Sequence, residues 1–106
     1  MIIQENSSYK NSCKKMKKKP EFKEELDIIL SHMEAVNSFD ELKTHPISLL
    51  YGFEVLRSDL TGYYKFSITR NNKYRLLFSY DSVKNIITLE YISENHYEDF
   101  KKYLKK

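Results

Sequence analysis

Two stretches in the second half of the chain alternate apolar and polar side chains with a period of two. In Tyr64–Ile68, and again in Tyr74–Tyr80, every other residue is aromatic or aliphatic. Between the two stretches lies Asn71-Asn72, and Asn favours turns because it tolerates left-handed backbone. The pattern predicts two antiparallel strands that each bury one face.

A third apolar stretch follows a second turn signal. Asp81-Ser82 marks the turn, and Ile86–Ile92 is apolar enough to be an internal strand. The final stretch, "HYEDFKKYLKK", has acidic residues near its start and lysines at its end, which suits the dipole of a helix. The second half therefore predicts a three-stranded meander and a closing helix.

The first half of the chain has helical periodicity instead. Tyr9, Cys13 and Met16 recur at the spacing of one helical face, after N-cap candidates at residues 6–8. This helix is predicted to end near Lys19, because the residue before Pro20 is biased away from helix.

A second helix is predicted from Pro20 to about Val36. Proline suits the first helical turn, where its missing N–H is not needed. An apolar stripe then follows at helical spacing: Phe22, Leu26, Ile29, Leu30, Met33 and Val36. The two helices are predicted to form an antiparallel hairpin with a short joint between them.

Together these elements predict an α+β fold in a single domain, residues 1–106. The helical hairpin is expected to pack on one side of a twisted antiparallel sheet. That sheet would contain the meander and an N-terminal strand at Met1–Gln4, with a short C-terminal helix beside it. A chain of 106 residues can bury one modest core.

Composition excludes several classes of protein. Charged residues make up 31% of the chain, and no apolar run approaches the roughly 20 residues that span a bilayer. Without a signal-peptide pattern, a cytoplasmic location is expected. The single cysteine, Cys13, excludes an internal disulfide and any cysteine-based zinc site. No cofactor and no metal are expected, and His32, beside the apolar stripe, is interpreted as a partly buried structural residue.

The basic residues are clustered, although the net charge is only +3. Six lysines lie between Lys10 and Lys19, and four lie between Lys101 and Lys106. Such clusters suit phosphate or an acidic protein partner, and they are equally typical of solvated helix faces.

The meander would gather a set of side chains that suits metal-independent RNA cleavage. Glu54 precedes its first strand, Arg75 lies early on its second, and His96 follows its third. Cleavage needs a base for the 2′-hydroxyl proton, a cation for the charge on phosphorus, and an acid for the leaving 5′-oxygen. Taken singly, Glu54 also fits a surface carboxylate, Arg75 an outward strand residue and His96 a helix cap.

The stretch Glu54–Tyr80, "EVLRSDLTGYYKFSITRNNKYRLLFSY", resembles the RelE/ParE superfamily of bacterial toxins, and its YoeB branch in particular. Leu60-Thr61-Gly62 corresponds to the "LSG" of that branch, Ile68-Thr69 to "IT", and residues 75–78 to "RLVY". His96-Tyr97 corresponds to its C-terminal "HY". The N-terminal "YKNSCKKMKKK" is similar to the first helix of the YafQ branch.

The resemblance implies the toxin of a type II toxin–antitoxin system, a ribosome-dependent mRNA endonuclease that inhibits translation. Glu54 would be the general base, Arg75 the phosphate clamp and His96 the general acid, with Tyr97 supporting the acid or positioning RNA. We also predict that Lys65, Arg57, Tyr64 and Arg70 bind RNA.

The implied partners are a cognate antitoxin, the ribosome and mRNA. The chain would form a hetero-oligomer with the antitoxin, and it would reach operator DNA only through that partner. No membrane partner is expected.

Two other functions fit the same resemblance. The chain could be a ParE-like poison that binds DNA gyrase and cleaves nothing, because one fold supports several functions. It could also be a catalytically inert relative that only binds an antitoxin-like partner. Replacing His96 should leave the toxicity of a ParE-like poison intact, and an inert relative should cause no growth arrest on expression.

Overall fold

The computed structural model describes residues 1–16, 20–68, 74–94 and 101–103. The helices are α1 (Ser7–Lys14), α2 (Pro20–Ala35), α3 (Phe39–Thr44), α4 (Pro46–Leu50) and the 3₁₀ helix Ser58–Leu60. The strands are β1 (Ile2–Glu5), β2 (Glu54–Val55), β3 (Tyr63–Ser67), β4 (Tyr74–Asp81) and β5 (Ile86–Glu94). Residues 101–103 are helical, and the rest of the predicted C-terminal helix lies outside the described residues.

The strands form one five-stranded sheet in the order β1-β5-β4-β3-β2. The predicted meander is confirmed, because β3, β4 and β5 pair antiparallel in sequence order. The prediction of a wholly antiparallel sheet is wrong, since β1 pairs with β5 in parallel. Parallel strands cannot be joined by a tight turn, and here the chain between β1 and β5 runs through the helices and then through β2, β3 and β4.

The two predicted helices pack on one face of the sheet. Helix α1 begins after Asn6, whose side chain accepts a hydrogen bond from the Tyr9 backbone nitrogen, a standard N-cap. It ends earlier than predicted, at Lys14, and its Ser12 hydroxyl accepts a 3.0 Å hydrogen bond from the backbone nitrogen of Ile92. This bond attaches α1 directly to β5.

The predicted apolar stripe of α2 forms the centre of the core. Five of its six members are buried: Phe22, Leu26, Ile29, Met33 and Val36. They pack against strand residues that alternate on the same side of the sheet, among them Phe66, Leu76, Phe78 and Ile92. The apolar residues of the helical pattern and those of the period-two pattern therefore belong to the same hydrophobic core.

The loop after α2 holds two short helices that the sequence predicted only in part. Helix α3 contains the predicted turn at "SFDEL", with Ser38 as its N-cap. His45 ends α3 and caps α4, where its Nδ1 accepts a hydrogen bond from the Ile47 backbone nitrogen. Within the described ranges, no helix is long and apolar enough to cross a bilayer.

Candidate active site

The side of the sheet opposite α1 and α2 carries polar residues on β3. Because side chains alternate along a strand, Lys65 and Ser67 face away from the core residue Phe66. Both are buried, although their side of the sheet lacks α1 and α2. Lysine and serine are mostly exposed in folded proteins, so their burial on this short strand indicates a candidate functional site.

Strand pairing places Glu54 and Arg75 beside these residues. Glu54 is the register partner of Lys65 on the edge strand β2. Arg75 on the middle strand β4 pairs with Ser67 on one side and with Ser93 of β5 on the other. We define the polar face as the part of the sheet that carries Glu54, Lys65, Ser67, Arg75 and Ser93.

Lys65 is the most buried charge of the polar face. Only 5% of the residue is exposed. Its Nζ lies 3.6 Å from Oε2 of Glu54 and donates a 3.0 Å hydrogen bond to Oγ of Ser67. Burial lowers the pKa of Lys65, and the nearby charge of Arg75 lowers it further, against the opposing effect of Glu54.

Arg75 is held on the strand at the centre of the sheet. Its Nε and Nη1 atoms are buried, and the short side chains of Ser67 and Ser93 flank its backbone on the neighbouring strands. Small flanking residues leave room for a guanidinium group on a pleated surface. A planar guanidinium can bind two phosphate oxygens at once.

The loop between α4 and β2 lies directly against Lys65. The Tyr51 carbonyl accepts a 2.7 Å hydrogen bond from the Ser67 backbone nitrogen. Gly52 follows with φ of +63°, and a Cβ at this position would lie 3.0 Å from Oγ of Ser67 and 3.4 Å from Nζ of Lys65. The positive φ favours glycine here, and the contact with Oγ of Ser67 leaves little space for a Cβ.

A small apolar cluster borders the polar face. It contains Leu56, Leu60 and Leu77, with Tyr63, Tyr91 and Tyr103 packed against them. The tyrosine rings of positions 91 and 103 stack with their centroids 5.2 Å apart. This cluster shields part of the second face of the sheet, which helps to explain why Lys65 is buried there.

The structure brings three of the predicted site residues together and places others elsewhere. Glu54, Lys65 and Arg75 share the polar face. His96, Tyr97 and Arg70 lie outside the described residues. Arg57 is exposed and directly precedes the 3₁₀ helix.

Tyr64, which is predicted from the sequence to bind RNA, lies on the opposite side of the sheet from Lys65. Its ring packs 4.8 Å from that of Phe39 and 5.7 Å from that of Phe78. The alternation along β3 makes this unavoidable, because adjacent strand residues point to opposite faces. Tyr64 is therefore part of the aromatic core and not of the polar face.

The sequence analysis missed the serines of the polar face. Ser67 is two residues from Lys65, so its position was implied by the same alternation. Ser93 reaches Arg75 only through the pairing of β4 with β5, which depends on a register shift between Leu77 and Phe78. A local pattern contains no signal for that shift.

His32 has the structural role that its place beside the apolar stripe predicts. Its residue is 7% exposed, and Nε2 lies 2.8 Å from Oγ of the buried Ser48. Burial lowers its pKa, and the neighbouring His45 lowers it further. In the described part of the chain, no three His, Cys, Asp or Glu side chains form a group that could hold a metal ion.

The polar face combines features suited to phosphate chemistry. Lys65 and Arg75 supply two cationic groups close to each other, in surroundings where charge is poorly screened. Glu54 is half exposed, with 51% of its side chain accessible. A carboxylate can accept a proton from a substrate hydroxyl while the cations hold the phosphate, which is the division of labour that hydroxyl attack on phosphorus requires.

Comparison by sequence finds no match to this chain. No family model matches it, and no curated protein does.

Comparison by structure does find similar proteins. YafQ from E. coli strain BL21(DE3) has a TM-score of 0.66 at 14% identity, over 88% of this chain and 91% of YafQ. A YoeB/ParE toxin from Agrobacterium tumefaciens has a TM-score of 0.64 at 14% identity, over 91% and 100% of the two chains. YoeB in the YoeB–YefM complex from Staphylococcus aureus has a TM-score of 0.58 at 20% identity, over 92% and 98%.

These alignments cover 88–91% of this chain and 91–100% of the other two chains. The similarity therefore concerns the entire fold and not one shared motif. At the level of the fold, the resemblance seen in the sequence is confirmed: this chain has a fold similar to those of YafQ and YoeB.

Proposed function

We propose that this chain is the toxin of a type II toxin–antitoxin pair and cleaves mRNA on the ribosome. The observation that carries the proposal is the convergence of Glu54, Lys65 and Arg75 on one face of a YafQ- and YoeB-like fold. A fold alone does not specify a function, so the argument rests on this set of side chains.

In the proposed reaction, Glu54 accepts the proton of a ribose 2′-hydroxyl. The 2′-oxygen then forms a bond to the adjacent phosphorus, and the bond from phosphorus to the 5′-oxygen breaks. Arg75 stabilises the added negative charge on the phosphate oxygens, and His96 donates a proton to the leaving 5′-oxygen. Tyr97 supports the acid or positions the RNA.

Lys65 has a second cationic role in this proposal. Its Nζ already lies between Glu54 and Ser67. A phosphate bound beside Arg75 would add negative charge near the buried ammonium group, and so offset the cost of its burial. Arg57 and Arg70 are proposed to bind the RNA backbone farther from the reacting bond.

The proposed partner is a cognate antitoxin protein. The similar YoeB from Staphylococcus aureus was solved in complex with YefM, and one such complex is a heterotetramer described as toxin–antitoxin. By analogy, we propose that this chain forms a hetero-oligomer with its antitoxin and acts in the cytoplasm. Contact with operator DNA would occur only through the antitoxin.

The test is induced expression of the wild type and of His96→Ala in a bacterial host, with growth and the 5′ ends of cellular mRNA read in the same cultures. We expect arrest and new cuts within coding regions for the wild type, and neither for His96→Ala. His45→Ala is the matched control, since His45 caps α4 and is separate from the polar face.

Two outcomes would contradict the nuclease proposal. Growth arrest that persists in His96→Ala without new mRNA ends would favour a poison that acts by binding, such as a gyrase inhibitor. Expression of the wild type without any growth arrest would favour an inert relative.

A further inference from the structure

The register shift in the sheet gives Glu90 an unusual position. Leu77 pairs with Tyr91, whereas the next residue of β4, Phe78, pairs with Leu89, so Glu90 is the extra residue of a β-bulge. Its side chain therefore joins Tyr91 on the second face of the sheet, away from the core that contains Leu89. Bulges often redirect one side chain next to an active site.

The Glu90 carboxylate gathers hydrogen-bond donors from three separate parts of the chain. Oε2 accepts a 2.7 Å bond from the Ser79 hydroxyl on β4. Oε1 accepts a 2.8 Å bond from Nδ2 of Asn6 and a 3.0 Å bond from the Tyr103 hydroxyl. Bonds to a charged acceptor are roughly twice as strong as neutral ones.

Asn6 and Tyr103 also bond to each other. Nδ2 of Asn6 donates to the Tyr103 hydroxyl oxygen at 3.0 Å, and Oδ1 of Asn6 caps α1. The ring of Tyr103 stacks on Tyr91 at an angle of 19°. The end of the described chain is therefore fixed to the sheet by both polar and aromatic contacts.

We propose that Glu90 is a positioning residue, which holds the C-terminal part of the chain against the sheet through the Tyr103 hydroxyl. This inference rests on the proposed function, because residues 95–100, which include His96, connect β5 to Lys101. The sheet holds one flank of this segment, where Glu94 pairs with Tyr74. Glu90 holds the other flank at Tyr103.

The physical reason is pre-organisation. A general acid must lie within hydrogen-bond distance of the leaving oxygen, and displacing a reacting group by roughly 1 Å can lower the reaction rate about a hundredfold. Release of the Tyr103 end, next in the chain after this segment, is therefore expected to lower the rate of the acid step. The groups that bond Glu90 are Asn6, Ser79 and Tyr103. Burial raises the pKa of Tyr63, and the negative charge of Glu90 raises it further.

The test uses Tyr103→Phe, which retains the stacked ring and removes the hydroxyl, and Glu90→Gln, which retains the shape and removes the charge. Tyr80→Phe is the matched control, since the Tyr80 hydroxyl bonds Asn85 in the β4–β5 turn and its ring stacks on Phe39. Two quantities are measured: kcat and KM on ribosome-bound mRNA, and the rate of tryptic cleavage after Lys101 and Lys102 in the folded protein.

We expect kcat to fall by about tenfold in Tyr103→Phe and in Glu90→Gln, with KM changed by less than about twofold, because a bond to a charged group is removed and substrate binding is not. Tryptic cleavage after Lys101 and Lys102 should accelerate severalfold in the same two variants, since local opening becomes easier. Tyr80→Phe should match the wild type in both measurements.

The two measurements separate failure of the anchor from failure of the proposed function. Unchanged tryptic cleavage in both variants would overturn the anchor itself. Faster tryptic cleavage with an unchanged kcat would overturn the positioning role. A wild type that cleaves no RNA would overturn the proposed function and the positioning role together, while the tryptic rates would still show whether Glu90 anchors the chain end.

Discussion

At the scale of single residues, the main feature is the asymmetry of the Glu54–Lys65 pair. Lys65 is nearly inaccessible, whereas half of the Glu54 side chain is exposed to solvent. The lysine has therefore lost its hydration, while the carboxylate has kept much of its own. Removing one partner should have different consequences from removing the other.

We expect substitutions of these two residues to change stability in opposite directions. Glu54→Gln should lower the free energy of unfolding by about 1 kcal/mol, because the buried ammonium group of Lys65 loses its counter-charge. Lys65→Met should leave this free energy unchanged or raise it by up to about 1 kcal/mol, because an apolar side chain of similar length replaces a buried charge. Urea denaturation near pH 7 measures both changes, and equal losses in the two variants would contradict the argument.

The advantage of Lys65→Met should depend on pH. The folded-state pKa of Lys65 is lowered from its ordinary value of 10.5, so at a pH between the two values the unfolded chain binds more protons than the folded chain. The stability of the wild type therefore rises with pH through this interval, relative to a variant without the lysine. Denaturation at several alkaline pH values should show the free energy of unfolding of Lys65→Met falling relative to that of the wild type as pH rises; a constant difference would contradict this expectation.

At the scale of elements, the loop between α4 and β2 is part of the site. It brings Gly52 against Lys65 and Ser67, and the Tyr51 carbonyl bonds the backbone of β3. The other glycine, Gly62, also has a positive φ, of +94°, but a Cβ there would meet no atom within 4 Å. The chain thus offers two glycines that differ in the space around them.

Alanine at these two glycines should separate backbone strain from displacement of Lys65. Both Gly52→Ala and Gly62→Ala should lose about 1–2 kcal/mol of stability, because a Cβ disfavours left-handed backbone. Only Gly52→Ala should also lower kcat, since its Cβ would lie 3.0 Å from Oγ of Ser67, which accepts the hydrogen bond of the Lys65 ammonium group.

Thermal denaturation and the mRNA cleavage assay distinguish the two effects. Gly62→Ala serves as the control for general destabilisation when both variants are assayed well below their melting temperatures. An equal loss of kcat in the two variants would show that the loop does not position Lys65.

At the scale of the whole molecule, positive charge lies on two different sides. Lys65 and Arg75 belong to the polar face, while Lys10, Lys14 and Lys15 are exposed on α1 and at its end, and α1 packs on the other side of the sheet. The positively charged side chains are therefore not concentrated at one site, and the net charge of the chain is only +3. The lysines of α1 therefore lie on the side of the sheet opposite the polar face.

We expect these lysines to contribute to ribosome affinity and not to the chemical step. In the double variant Lys10→Gln/Lys14→Gln, the logarithm of ribosome affinity should depend less steeply on the logarithm of salt concentration. The slope should decrease by about one for each phosphate that the variant no longer neutralises, and kcat at saturation should stay unchanged. The matched control is Lys43→Gln/Lys84→Gln, which removes the same charge from α3 and from the β4–β5 turn. Binding to purified ribosomes over a series of salt concentrations measures the slopes, and equal changes in the two double variants would indicate a general effect of net charge.

Local sequence patterns were sufficient to predict which side of each element is buried. The stripe on α2 and the alternation on β3 and β4 are set by solvent exclusion along one element, so a local pattern is enough to read them. The same alternation places Tyr64 on the opposite face of the sheet from Lys65. Of the candidate site, Glu54 and Arg75 were predicted from their places around the meander and from the resemblance, and Lys65 was predicted to bind RNA.

Tertiary contacts decide which elements lie side by side and which charged side chains come into contact. No local sequence pattern predicts those contacts. Nothing in Met1–Glu5 indicates that β1 lies parallel to β5, and nothing around Glu54 indicates that this residue forms an edge strand beside Lys65. The bulge that turns Glu90 toward Asn6 and Tyr103 depends on the register between two strands. Register and strand order are set by contacts between distant residues, whereas periodicity records only the burial of each residue in its own element.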